Sequence, residues 1–201
     1  MPSACLAPDQ PPERIALLAV AQAACVRGGR LLFEALDLTI PAGEAIHVTG
    51  ANGSGKSSLI RLVAGLLRPT AGMIERNASM ALADETLALD RERSLGDALG
   101  WWARGDRGDL AAALEAFGLT DLAAAPVRLL STGQARRARL ARVMASGARL
   151  WLLDEPLNGL DRDGVARLEA VVAAHRAGGG GVLAASHVPL GGAWRELRLG
   201  Q

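Results

Sequence analysis

Apolar residues along this chain come in two rhythms. Runs rich in apolar residues occupy 15–20, 23–26, 31–33, 36–40, 44–49, 150–153 and 182–186, with Asp37, Thr39, Glu44, His47, Thr49 and Ser186 as the polar positions of three of them. A strand covered on both faces needs no polar alternate, so these runs predict strands, those at 44–49, 150–153 and 182–186 buried. Gly28-Gly29 and Pro41-Ala42-Gly43 supply turns between the early ones. Weaker strands are predicted at 73–74 and 79–82, and a last one at a sheet edge over 197–199. The second rhythm has the three-to-four spacing of helices. It predicts a helix leaving 58–64, another over 134–145, and an amphipathic one over 163–176 that the glycines of 178–181 close. From about 95 to 122 the chain is rich in Ala, Leu and charge, which predicts a mostly helical insert ended by Pro126 and by Leu130 to Gly133. Strands alternating with helices imply an α/β fold with a mainly parallel sheet. There is no internal repeat.

Composition changes this picture mainly by exclusion. Half of the 201 residues are hydrophobic, ample for one core, so a single domain is expected over 14–201. Pro2, Pro8, Pro11 and Pro12 mark residues 1–13 as a disordered leader. A formal net charge of +1 gives no global field for nucleic acid, and 3% aromatics with no Tyr weaken base stacking, so no nucleic-acid partner is expected. Cys5 and Cys25 have neither metal-site nor disulfide-framework spacing and fit a reducing compartment. The first residues lack the basic region and long apolar core of a signal peptide, and no stretch approaches the length of a membrane span.

Chemistry concentrates at Gly50-Ala51-Asn52-Gly53-Ser54-Gly55-Lys56-Ser57, followed by Ser58. This fits G-x-x-x-x-G-K-[ST], the phosphate-binding loop, and it has the required strand before it and helix after it. The glycines let the backbone turn its N–H groups onto phosphate oxygens. Lys56 reaches the β- and γ-phosphates of a nucleotide such as ATP, and the Ser57 hydroxyl is placed to ligate Mg²⁺. A second signal is the apolar strand 150–153 running into Asp154-Glu155. Successive side chains on a strand point to opposite faces, so Asp154 can hold Mg²⁺ while Glu155 polarises the attacking water. A third is Leu130-Ser131-Thr132-Gly133-Gln134, where Ser131 or Thr132 caps a helix whose free N–H groups suit an anion. One nucleotide has no evident need of two helix-start anion sites from one molecule.

Leu130 to Gln134 with Arg136-Arg137 and Leu140-Ala141-Arg142 resembles the signature of the ATP-binding cassette (ABC) ATPases. Leu152 to Pro156, Asn158-Gly159-Leu160-Asp161 and Ser186-His187 resemble further motifs of that family, in its order, over residues 20–190. The resemblance implies an ABC ATPase core with a mainly parallel sheet, an N-terminal antiparallel β part and a helical subdomain at about 86–135. It implies ATP and Mg²⁺ as cofactors and a head-to-tail homodimer. Ser131, Thr132, Gly133 and Gln134 would meet the partner's γ-phosphate, Asp161 would link the two sites, and His187 would orient the water. It also implies a peripheral place on the cytoplasmic face of a bacterial inner membrane, against integral permease subunits. The segment around Cys25-Val26-Arg27, the sequence 64–69 and the short length are similar to the ATP-binding subunits of the haem exporter of cytochrome c maturation. Another small ABC exporter, or a soluble ABC-type ATPase, is the alternative.

The pattern departs from the family in three places. No aromatic stands where the family stacks adenine, and Arg27 or Val26 takes that neighbourhood. No Gln occurs between Gln22 and Gln134, and Asp84 or Glu85 falls nearest the place of the family's Mg²⁺-contacting Gln. Thr132 replaces a usual Gly. Among the remaining residues, His47 reads as a packing histidine and His175 as a solvated or helix-end residue. Arg136, Arg137, Arg139 and Arg142 read as a solvated, ion-paired face. Trp101-Trp102 reads equally as core or as an exposed docking spot.

Overall fold

The computed structural model describes residues 16–200, so the expected leader lies outside the described residues. The parallel sheet has the order β5 (Met80–Ala83), β6 (Leu150–Asp154), β7 (Gly181–Ala185), β3 (Ala45–Thr49), β8 (Arg195–Arg198). Its pairings are all parallel, and β8 is an edge strand as expected. A second, antiparallel sheet is formed by β1 (Leu18–Arg27) between β2 (Arg30–Ile40) and β4 (Ala71–Arg76). The sequence suggested two short strands on each side of the Gly28-Gly29 turn. Each pair is instead one long strand bent in the middle, with Gln22 at φ 50° and Ala35 at φ 48° and slips in register around them. Bulges of this kind bend a strand without ending it.

Strand alternation divides the interior into two cores. Ile46, Val48, Leu150, Leu152, Leu183 and Ala185 face one side, with β1, β2 and helix α1 (Lys56–Val63). Ala45, Trp151, Leu153, Val182 and Ala184 face the other, with α2 (Leu95–Trp102), α3 (Leu110–Ala116), α4 (Thr132–Ala145) and α5 (Arg162–Ala177). Helix α1 is therefore in the core between the two sheets. Leu59, Ile60, Leu62 and Val63 on it are all fully buried, and each contributes roughly 1.5–3 kcal/mol by leaving water. That anchorage fixes the start of α1, where the phosphate loop ends.

Helix α4 packs with α2 and α3 over the far face. Its arginines are not the solvated face that the sequence suggested. Arg139 and Arg142 are each 6% exposed and reach across to the end of β5, donating to the carbonyls of Asp84 and Leu82. The Arg142 guanidinium also lies 4.6 Å over the Trp102 ring. Trp102 thereby belongs to the core edge, while Trp101, set edge-on against it, stays exposed. His175 stands in the last turn of α5, as one of its two expected readings had it, but it is not solvated. Its half-buried ring stacks on Trp151 at 3.8 Å, and burial lowers its pKa.

Candidate functional site

The loop between β3 and α1 is held in a conformation that side chains would block. Gly50 has φ 145°, and a Cβ there would lie 2.6 Å from both the Leu199 carbonyl oxygen and Ser54 Oγ. Gly55 begins α1 at φ 103° and no side chain caps the helix, which leaves its start available to an anion. Lys56 is buried, and its Nζ donates to the carbonyls of Gly50 at 2.8 Å and Ala51 at 3.2 Å. The loop thus curls around its own ammonium group.

The Ser57 hydroxyl donates to Asp154 Oδ1 at 3.0 Å and ties the loop to the end of β6. Burial pushes the Asp154 carboxyl up, and this bond opposes the shift. A hydroxyl and a buried carboxylate side by side are hard oxygen donors of the kind Mg²⁺ takes. Glu155 follows at φ 47°, with its N–H donating to the Ala185 carbonyl at 2.8 Å. That turn aims its carboxylate at the end of β7, where Oε1 lies 3.3 Å from His187 Nε2. His47, buried in β3 as expected, donates from Nε2 to the Ser186 carbonyl at 2.9 Å and so fixes the backbone just before His187.

Of these groups, Lys56, Ser57, Glu155 and His187 line one cavity of about 370 Å³ with Asn52 and with Gly53, Gly55 and Ser58 from the loop and helix, while Asp154 meets its lining through Ser57. Arg27 and Leu32 complete it from β1 and β2, so the antiparallel sheet forms one wall. Arg27 was expected there from its position. Leu32 was not, because a lone leucine in a strand carries no chemical signal.

The signature lies elsewhere. Ser131 caps α4, accepting from the Gln134 N–H at 3.3 Å while Gln134 Oε1 accepts from the Ser131 N–H at 2.8 Å. Ser131, Thr132 and Gly133 are exposed, and a Cβ on Gly133 would meet nothing within 4 Å. None of the four residues lines the Lys56 cavity. Asp161 caps α5 through a 2.7 Å bond from the Gly164 N–H and is also exposed. Asp84 and Glu85 follow β5. Asp84 lies near enough to Asp154 to raise its pKa further. Glu85 lines a second cavity, of about 430 Å³, that also reaches Glu155 and includes Thr132, Arg136, Arg139 and Asn158.

A nucleotide-phosphate cavity on a parallel sheet, with a helical layer that ends in an exposed, capped signature, defines an ATP-binding cassette. The ABC transporter family matches residues 33–158, and the chain belongs to that family of transport ATPases. Within it the chain sits among the cytochrome c biogenesis ATP-binding export proteins, CcmA. It is 55% identical to that protein of Sphingopyxis alaskensis, over 87% of this chain and 91% of the relative. It is 58% identical to that of Novosphingobium aromaticivorans, over 83% and 86%. Among solved structures, one described as the ATP-binding subunit of an ABC transporter superposes with a TM-score of 0.78 at 24% identity, covering 86% of this chain and 80% of that one. The fold follows from that likeness. No helix among the described residues is long and apolar enough to cross a membrane.

Proposed function

We propose that the chain works as a head-to-tail homodimer, each ATP held between the Lys56 loop of one copy and the Ser131 signature of the other. The observation that carries this is the separation of the two anion sites. The Lys56 cavity contains none of Ser131, Thr132, Gly133 and Gln134, and the first three of these are exposed. Within the site, the loop N–H groups and Lys56 bind the β- and γ-phosphates. Ser57 and Asp154 would hold Mg²⁺, which supplies charge neutralisation across the phosphates, with Asp84 or Glu85 as the next nearest acids. Glu155 accepts the proton of the attacking water and His187, bridged to it, orients that water. Arg27 and Leu32 flank the base, and Asp161 stands where one copy's site meets the other's.

The dimer would drive integral permease subunits at the cytoplasmic face of the bacterial inner membrane and serve cytochrome c maturation, the task printed in the names of its relatives. Haem is the cargo that the resemblance implies. The test mixes two inactive variants. Lys56→Ala removes the loop's cation and Ser131→Arg blocks the signature. In a mixed dimer the loop of the Ser131→Arg copy meets the signature of the Lys56→Ala copy, so one site of two is whole. We expect ATPase activity to return on mixing, approaching a quarter of the wild-type rate at equal amounts. A mixture as inactive as its components sinks the composite site.

A further inference from the structure

The cavity behind Glu155 brings together two carboxylates, Glu85 and Glu155, and two guanidinium groups, Arg136 and Arg139. Arg136 has a partner there, donating from Nη1 to the Gly159 carbonyl at 2.7 Å. Arg139 is different. It is 94% buried, since only 6% is exposed, and makes one hydrogen bond, from Nη1 to the Asp84 carbonyl at 2.6 Å. Its Nε and Nη2 are buried with no partner among the described residues. A buried guanidinium with two unpartnered nitrogens is costly, and an apolar side chain of similar length would span the same helix face without that cost. Arg142, three residues on, already fastens α4 to β5 through the Leu82 carbonyl and to Trp102. Fastening therefore does not account for the charge on Arg139. The groups around it do: Asp84, Glu85 and Asp154 are the acids whose fields reach it, and Arg136 is the opposing cation.

We propose that Arg139 is a positioning residue for ATP hydrolysis, which offsets the charge of Asp84 and Glu85 beside Glu155. The inference rests on the reading of Glu155 as the hydrolytic carboxylate. Four acids, Asp84, Glu85, Asp154 and Glu155, crowd the end of two adjacent strands, where a polyphosphate must also bind. Arg139 and Arg142 are equally buried and both feel Asp84, and of the two it is Arg139 that also lines the cavity with Glu85 and Glu155. It also stands about two turns along the helix that begins at Ser131. A shift of that helix moves the cation relative to the acids, which joins the signature to the hydrolytic end of the site through a single side chain.

The experiment compares full-length Arg139→Gln and Arg139→Lys with a triple variant that adds Asp84→Asn and Glu85→Gln to Arg139→Gln. Turnover, affinity for a fluorescent ATP analogue and melting temperature are read for each. Arg139→Gln should lose about 10- to 100-fold in kcat with nucleotide affinity within about 3-fold, because the phosphate contacts are untouched. Arg139→Lys should keep most of the turnover. The triple variant, which no longer has the charge to offset, should regain at least about 5-fold in kcat over Arg139→Gln alone. A purely structural Arg139 predicts no such rescue, and normal turnover in Arg139→Gln or an inactive triple variant overturns the proposal. If Arg139→Gln alone does not fold, the triple variant still decides, since it must then fold and turn over. Glu155→Gln tests the underlying reading separately: full activity there removes the hydrolytic role of Glu155, whatever Arg139 does.

Discussion

Two helices in this molecule begin at a predicted anion site, and they begin differently. Helix α1 starts at Gly55 with no side-chain cap, its start enclosed and its lysine folded onto the loop. Helix α4 starts at Ser131 with a full capping box, and its first residues stand in solvent. An uncapped helix start has orphan N–H groups that a ligand can satisfy, whereas a capping box satisfies two of them internally. The α1 end thus keeps N–H groups that no side chain of its own chain caps. The α4 end is stable by itself and still offers Gly133 an open approach, which suits a surface that meets its ligand only when another copy brings it.

Four measurements would break or sharpen that contrast. The largest effect belongs to Glu155→Gln, which removes the proposed proton acceptor and leaves the α1 end intact. Turnover should fall on the order of 10²–10⁴-fold while ATP still binds, and a steady-state assay beside a binding titration checks both halves. Next is the anchorage of α1. Leu59 is fully buried in the core between the sheets. Leu59→Ala should cost about 2–5 kcal/mol by denaturant unfolding and weaken nucleotide binding with it. The corresponding change at the other helix is smaller. Gln134→Ala opens the capping box and should cost about 0.5–1 kcal/mol, with ATP binding at the Lys56 loop unchanged. If Gln134→Ala weakens that binding as much as Leu59→Ala does, the two ends are not independent within one chain.

The smallest effect is a pH dependence remote from both ends. Burial lowers the pKa of His175 below its ordinary 6.5. The unfolded chain then binds the proton more readily than the folded one. The stability linked to His175 is present above about pH 6.5 and is lost as pH falls through the folded pKa. Unfolding curves at pH 7.5 and 5.5 should differ by more in the wild type than in His175→Phe, which keeps the ring stack on Trp151 but cannot titrate.

The sequence made one kind of site visible and hid another. Lys56, Ser57, Asp154, Glu155 and Ser131 announce themselves because their chemistry needs fixed residue types at short spacing. The strands around the Lys56 loop were legible because β3, β6 and β7 are buried on both faces; their order was not. What was hidden depends on long-range packing. Arg139 and Arg142 have the spacing of a polar helix face, and only the arrival of β5 beneath α4 buries them. The bends at Gln22 and Ala35 look like strand ends, because a bulge and a break leave the same local pattern. That the helix-end His175 is not solvated shows only once Trp151, twenty-four positions away, is found beneath its ring.

Glu155 has a further consequence. A residue with a β-carbon held at φ 47° bears backbone strain, on the order of 1–3 kcal/mol, that glycine would not bear. The carboxylate is set over the cavity by that conformation, with the N–H to Ala185 holding it in place. Glu155→Gly would therefore yield a sturdier and inert protein. The molecule sits away from its own stability optimum at this position, and any selection for thermal endurance alone would erode the residue that makes it an engine.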